Sequence, residues 1–395
     1  MFLSHLLSII GIVVVVATLP LLIEILVLSL AGLLPTREVW DQDSESGLAP
    51  LTVLVPAHNE EALIGRCIRS VLDSGSSGVD VLVVAHNCTD ATAERAEAAG
   101  AHVLVMNDPA QTGKGCALRY GFAAALAGTS QGVLVIDADS VIDLGLIGTV
   151  RRRLLAGTRA LQCRYEVSSF QDSWRTKLTT FAFHAFNTVR PRGRARLGLS
   201  AGIFGNGFAL HRDVLTHVPY NADSIVEDLE YHLALVRANI GVGFIDTAVV
   251  HGEMPATLKG AKTQRARWEG GRLSVMKQWA PKLLVDVLKG RVRLMEPLLD
   301  LMALPISLEV TVLLVAACLP VAWLRLYVLG AFAVLLLHLT VAAVSGPGLW
   351  ETVKVLSNAP GYVLWKLWIF PEIWRTSRAN AAWVRTERES ASDNQ

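Results

Sequence analysis

The sequence predicts an α/β domain built on a mainly parallel sheet and placed between apolar helices of membrane type. Three observations carry that expectation. Short Val- and Leu-rich runs recur at 51–56 (LTVLVP), 79–85 (VDVLVVA), 101–106 (AHVLVM) and 132–137 (GVLVID). Ala-rich stretches of helical character separate them at 60–72, 91–99 and 115–127. The hydrophobic residues, 52% of the chain with a mean hydropathy of +0.41, are in excess at its two ends. Strands that are apolar throughout and alternate with helices imply a parallel sheet covered on both faces, because each face then needs apolar side chains.

The length of 395 residues leaves room for a folded domain of about 250 residues plus a few membrane helices. Lys and Arg number 36 against 35 Asp and Glu, so the total charge gives no sign of a nucleic-acid partner. The five cysteines are odd in number and form no CxxC pair, which speaks against both a disulfide framework and a zinc site and fits a reducing compartment.

Residues 2–34 are apolar but for His5, Glu24 and small residues, enough for one helix (1–36) to cross a bilayer of roughly 30 Å. A cleaved signal peptide would need basic residues before a shorter apolar run. An acidic, Ser-rich linker (37–50) leads to the domain, expected over 51–280. A basic connection (281–296) with Lys282, Lys289, Arg291 and Arg293 follows, then two further spans in 297–345, at 298–319 and 326–344. Basic residues before the second span, and Arg375, Arg378, Arg385 and Arg388 after the third, place the domain on the cytoplasmic side of an inner or plasma membrane of bacterial type, with the amino terminus outside. The segment 348–374 mixes four tryptophans with charges and prolines and suits the headgroup layer, so 346–395 reads as an interfacial amphipathic segment and basic tail.

Polar groups gather where these strands end. VPAHNEE (55–61) brings Pro56, Ala57, Asn59 and Glu60 to the carboxyl end of the first strand, where open α/β sheets bind ligands; Asn59 and Glu60 could equally cap the next helix. The fourth strand ends in DADS, where Asp137 and Asp139 can share a hard cation such as Mg2+ or Mn2+, the remaining positions being filled by diphosphate oxygens. In QTGKGCALRYG (111–121), Lys114 stands between glycines ahead of a helix, able to approach phosphate or to remain a solvated surface charge; the spacing is not that of a P-loop. Glu227 and Asp228 precede an apolar-periodic helix, as caps or as the base that deprotonates an attacking hydroxyl. TQRARWEGGR (263–272) clusters Gln264, Arg265, Arg267 and Trp268, suited to holding phosphate and stacking on a sugar, or to lying on a membrane surface. In 170–196, an apolar stripe with Trp174, Phe181, Phe183 and Phe186 runs beside Arg190, Arg192, Arg194 and Arg196; it could admit an amphiphilic acceptor at the interface, or be a packed helix with a solvated basic loop.

Taken together and in this order, the motifs resemble those of the family-2 inverting glycosyltransferases with a GT-A fold, particularly the membrane-bound branch of cellulose, chitin, hyaluronan and poly-N-acetylglucosamine synthases. The resemblance covers about 51–272. PAHNEE is similar to the family's opening motif, NCTDAT, which begins at Asn87 with His86 before it, to its nucleotide-contacting turn, GKG to its uridine or phosphate loop, and DADS to its metal-binding Asp-x-Asp. GNGFALHR, with Gly205, Asn206 and Gly207, is similar to its acceptor-side loop, Glu227–Asp228 to the motif that ends in the base, and QRARW to Q-x-x-R-W. The resemblance implies Asp228 as catalytic base, Asp139 as metal ligand with Asp137 contacting the nucleotide, and Gln264, Arg267 and Trp268 as binders of diphosphate and acceptor sugar. It also implies Mg2+ or Mn2+ as cofactor, a nucleotide-sugar donor, UDP-linked in the first instance, and a saccharide or lipid-linked acceptor, in polysaccharide or glycolipid synthesis.

His58 stands where that opening often has Tyr, and His86 where the branch commonly has Asp, which puts the identity of the base in question. About three spans are fewer than a translocating synthase uses, so Q-x-x-R-W is no proof of processivity. Two other classes remain. A membrane-anchored metal-dependent hydrolase would need a second ligand cluster, which the scattered His211, His217, His232 and His251 do not offer. A non-catalytic nucleotide-binding membrane partner would not need Asp228. Membrane lipids are expected neighbours, and homo-oligomerisation stays open.

Overall fold

A computed structural model describes residues 2–34, 48–74, 77–168, 173–253 and 258–377. The chain divides into two units. One comprises residues 35–171, 198–263 and 382–395; the other comprises residues 1–34, 172–197 and 264–381. Most of the linker, Phe170, and Arg378, Arg385 and Arg388 lie outside the described residues.

The first unit holds one eight-stranded sheet: β1 (Leu51–Ala57), β2 (Val79–His86), β3 (His102–Met106), β4 (Gly132–Val135), β5 (Val141–Ile142), β6 (Ala160–Ser168), β7 (Phe208–His211) and β8 (Val242–Glu253), in the order β3-β2-β1-β4-β7-β6-β8-β5. The four apolar runs of the sequence are β1 to β4, and they pair in parallel. β7 runs antiparallel to both β4 and β6, so the sheet is mixed. The central strands β1 and β4 are almost wholly apolar because both faces of the sheet are covered there: Val53 and Val55 pack under helix Ile64–Leu72, whereas Leu54, Val84 and Val135 pack under helix Lys114–Ala127 with Leu118 and Phe122. Burying each such side chain contributes roughly 1.5–3 kcal/mol, the main force fixing this layer.

Because β1 neighbours β2 on one side and β4 on the other, the chain winds outward in one direction through β2 and β3 and then returns to β4. In open α/β sheets such a reversal is where ligands bind, outside the carboxyl ends of the two strands, here beside the loops after β1 and β4.

The first helix after β1 begins at Ile64 rather than at Glu60, with Leu63 at its N-cap and no side chain capping it. Asn59 takes a left-handed backbone (φ 56°), and the loop is tied to the β2 loop instead: Thr89 N–H donates to Asn59 Oδ1 at 2.7 Å, and Glu60 N–H to Thr92 Oγ1 at 2.8 Å. The capping role open to Asn59 and Glu60 on sequence grounds is therefore not the one they take.

In the second unit two helices, Phe2–Gly32 and Ala322–Val344, are long and apolar enough to cross a membrane. The expected span at 298–319 is instead two helices, Val292–Met302 and Ile306–Ala317, bent by 75°. Pro305 stands at the N-cap of the second, where it lacks the N–H that would continue the first. The pair counts as a third candidate span only if the bend is crossed. Helices Leu349–Leu356, Ala359–Trp368 and Phe370–Thr376 are 8, 10 and 7 residues long, each too short to span about 30 Å, and expose Trp350, Trp368 and Trp374.

The segment with four arginines corrects an expectation. Arg190 and Arg194, on helix Arg190–Arg196, form no cationic edge: both are buried, in a cluster where Glu24, Glu296 and Asp300 meet Arg190, Arg194 and Arg272. Arg194 Nη2 lies 2.6 Å from Glu24 Oε1, and Arg196 donates to the carbonyl of Gly32. Glu24, which interrupts the first apolar helix, is the acid that these guanidinium groups neutralise.

Candidate active site at the strand ends

The site grows from the loop after β4. Asp137 follows the strand by two residues, and its N–H donates to Asn206 Oδ1 at 3.0 Å. Asn206 is fully buried; its amide NH2 donates to Ser140 Oγ at 2.9 Å, and Ser140 Oγ donates to Asp139 Oδ1 at 3.0 Å. Gln162, fully buried on β6, donates to the carbonyl of Asn206 at 2.8 Å and accepts from Phe204 N–H at 3.0 Å. Asn206 thus brackets the DADS turn and holds the backbone of Asp137 and the carboxylate of Asp139 in place. Gly207 belongs to the sheet, donating to Val135 O and accepting from Cys163 N–H.

Lys114 opens helix Lys114–Ala127, and its Nζ forms a salt bridge with Asp137 and donates to Gly205 O at 2.6 Å. Burial opposes the ammonium charge, but attraction to Asp137, Glu227 and Asp228 outweighs it and raises the lysine above its ordinary value. The solvated-lysine alternative is thereby set aside. Asp228 lies in the first turn of helix Glu227–Arg237, with Leu229 N–H donating to its Oδ1 at 2.8 Å. Burial pushes its carboxyl up, against the opposing pull of that N–H and of Lys114, and repulsion from Asp137 adds to the rise. Gly205 stands between the two: at φ 75°, it lies where an added Cβ would come within 3.2 Å of Asp228 Oδ2 and 3.7 Å of Lys114 Nζ. A side chain at 205 would crowd the base and strain the backbone, so the glycine is what lets helix 227–237 approach the lysine.

The loops after β1, β2 and β3 form a second group. Pro56 and Ala57 close β1 in register with Val84 and Ala85. His58 Nδ1 meets the carbonyl of His86 at 2.8 Å. His86 is buried, which lowers its ring below the ordinary histidine value, and its Nε2 meets the carbonyl of Gln111 at 3.0 Å. The Asn87 side chain, also on a left-handed backbone, accepts from Asp108 N–H at 2.8 Å and donates to Asp108 O and Gln111 O, each at 3.0 Å.

The structure therefore gathers Lys114, Asp137, Gly205, Glu227 and Asp228 around one ammonium, with Asp139 beside Asp137. Asn59, Glu60, His86 and Asn87 shape the neighbouring loops. Gln264, Arg267 and Trp268 fold with the other unit, on helix Leu258–Leu288, where the Arg265 guanidinium lies 5.4 Å from the Trp268 ring centre. The four histidines are separately engaged: His211 beside Asp213, His217 on Asp213 O, His232 on Ser200 and His251 on Asp143. Among the described residues no group of three or more His, Cys, Asp or Glu could hold a metal. Sequence reasoning assigned no role to Ser140 and Gln162, although one polar residue inside the apolar strand run ALQC was a signal that a buried amide had partners there.

Residues 49–271 match the model of the family described as "Glycosyltransferase like family 2". A "Probable glycosyltransferase YdaM" of Bacillus subtilis (strain 168) is 24% identical over 254 residues, a region that is 60% of this chain and 58% of that relative. Among solved structures, the mannosyltransferase PcManGT of Pyrobaculum calidifontis, in complex with GDP-Man and Mn2+, superimposes with a TM-score of 0.56 over 94% of this chain and 97% of its own, at 16% identity. A glucosyl-3-phosphoglycerate synthase of Mycobacterium tuberculosis, in complex with Mn2+, UDP-Glc and phosphoglyceric acid, gives 0.41 over 60% of this chain and 85% of its own, at 23% identity. The family match spans more than half of the chain and the mixed sheet is of the GT-A kind, so this chain belongs to glycosyltransferase family 2.

Proposed function

We propose that this chain is a membrane-anchored, inverting glycosyltransferase of the synthase-like branch. It takes a nucleotide-sugar donor, with UDP-sugars to be tried first and GDP-sugars second, and serves a saccharide or lipid-linked acceptor in polysaccharide or glycolipid synthesis. The single observation that carries this reading is the convergence of Lys114, Asp137 and Asp228 around Gly205. A base for the acceptor hydroxyl and a cation for a diphosphate stand within one side chain's length of each other.

In this reading Asp228, raised by burial and so proton-seeking, takes the acceptor hydroxyl proton as that oxygen attacks the anomeric carbon from the face opposite the diphosphate, which inverts the configuration. Asp137 and Asp139 are hard oxygen donors one residue apart, and an ammonium already stands in as the cation on Asp137, so the pair fits Mg2+ or Mn2+. Such an ion, when bound, would offset the charge of the departing nucleoside diphosphate. Asn206 and Ser140 hold the backbone of Asp137 and the carboxylate of Asp139, and Gln264, Arg267 and Trp268 are assigned to diphosphate and acceptor sugar. The catalytic unit faces the cytoplasm, where nucleotide sugars are made, and the domain limits of the sequence reading (51–280 with flanking helices) are kept as part of this proposal. Incubating the purified protein with a panel of UDP- and GDP-sugars, with products identified by mass spectrometry and anomeric configuration by NMR, tests it. Inverted glycoside from at least one donor is expected; retained configuration would overturn the mechanism, and no consumption of any donor would overturn the activity.

A further inference from the structure

Asp137 is asked to serve two cations. In the structure its carboxylate is held by Lys114, and in the proposed reaction it contacts a divalent ion. Two positive charges on one small carboxylate repel, so each weakens the hold of the other. Gly115, the residue after Lys114, lies where an added Cβ would be 2.7 Å from the Ala222 carbonyl, so the first turn of the helix is already in close contact with its neighbour. The Lys114 side chain can move. A lysine is a compact charge on a flexible four-carbon stem with three rotatable donors, unlike the planar fork of an arginine. Its second partner, the Gly205 carbonyl at 2.6 Å, is neutral and adjacent to the base.

Resting on the donor-site reading above, we propose that Lys114 is an exchangeable counter-ion that occupies Asp137 until a nucleoside diphosphate offers it a phosphate, so that divalent cation and nucleotide bind as mutually dependent ligands. Lys114 then plays two opposite parts. Without nucleotide it competes with the divalent ion for Asp137. With nucleotide it pairs with the diphosphate and leaves Asp137 to the ion. Coupling of this kind is reciprocal, so the nucleotide must strengthen ion binding by the factor by which the ion strengthens nucleotide binding.

The test measures Mn2+ affinity by the electron paramagnetic resonance signal of free aqueous Mn2+, on the full-length protein in detergent, with and without UDP and, separately, GDP. The wild type is expected to bind Mn2+ about tenfold or more tightly with nucleotide than without, within the usual range of coupling. Lys114→Met, which keeps the stem and removes the charge, is expected to bind Mn2+ at least about tenfold more tightly than the wild type when nucleotide is absent, and to gain little from nucleotide. Lys114→Gln repeats the measurement should the first variant fold poorly. Asp137→Asn should lose Mn2+ under both conditions. A folded Lys114 variant that binds Mn2+ no more tightly than wild type without nucleotide would overturn the exchange while leaving the donor site standing. A wild type that takes up no Mn2+ with either nucleotide would bring down the metal reading itself, and the exchange with it.

Discussion

Two regions of the molecule bury charge, and they do it differently. In the helical unit three arginines meet three carboxylates, with Glu24, Glu296 and Asp300 against Arg190, Arg194 and Arg272. Guanidinium groups are permanently charged, and their fixed forks suit several oxygens at once, so such a cluster is a staple. At the strand ends one lysine is drawn to three carboxylates, Asp137, Glu227 and Asp228. A point charge on a flexible stem is poorly suited to a staple and well suited to exchange. The contrast separates charge that holds the fold from charge that waits for a ligand, and substitutions in the two regions should therefore fail in different ways.

The largest effect expected is from chelation. EDTA should abolish sugar transfer, and added Mg2+ or Mn2+ should restore it, measured as product released from the donor, because Asp137 and Asp139 are the groups assigned to the ion. Full turnover in chelator would move the strand-end cluster into the structural class. Next comes the staple. Glu24→Gln removes one of three acids from buried guanidinium groups, and breaking such a cluster costs up to about 3–5 kcal/mol. The yield of folded protein and the thermal midpoint should fall, while donor affinity per folded molecule stays put; a variant of normal stability with impaired donor binding would dissolve the distinction. Asn206→Ala should be milder. Removing a buried amide that brackets the DADS turn costs about 1–3 kcal/mol and should weaken Mn2+ affinity alongside stability, read by thermal melts and ion titration.

The smallest effect concerns pH. Asp228 must be unprotonated to act, and burial raises its carboxyl, so the acidic limb of the kcat profile should fall at a pH above that of an ordinary surface aspartate. Lys114 opposes that rise, and Lys114→Gln should move the limb higher still. A limb that stays in place in this variant would mean that the lysine and the base do not sense each other.

Much of the parallel half of the sheet was legible because its signal is local. Runs such as VLVV declare a strand buried on both faces, and the polar residues that follow each run mark the ligand-binding end. The bend at Pro305 was equally visible as a residue, yet the apolar stretch around it overrode it, since hydropathy counts side chains and not missing N–H groups. What could not be read were partnerships across the chain. Glu24 and Arg190 are 166 residues apart, so the acid looked like a blemish in a membrane helix and the arginine like part of a basic edge. Asn206 looked like a ligand contact in an acceptor-side loop, and the structure buries it completely as the bracket of a turn 69 residues earlier. Periodicity reports how an element meets water, and it is silent about which distant group a buried polar atom will find.

The most direct test of the account is Asp228→Asn, measured for donor binding and turnover on the same folded preparation. A positioned general base contributes about 10²–10⁴-fold, so turnover should fall by that factor while nucleotide-sugar affinity and thermal stability remain close to wild type, and Glu227→Gln should cost less. Near-normal turnover in a folded Asp228→Asn protein would contradict the account and pass the role of base to Glu227.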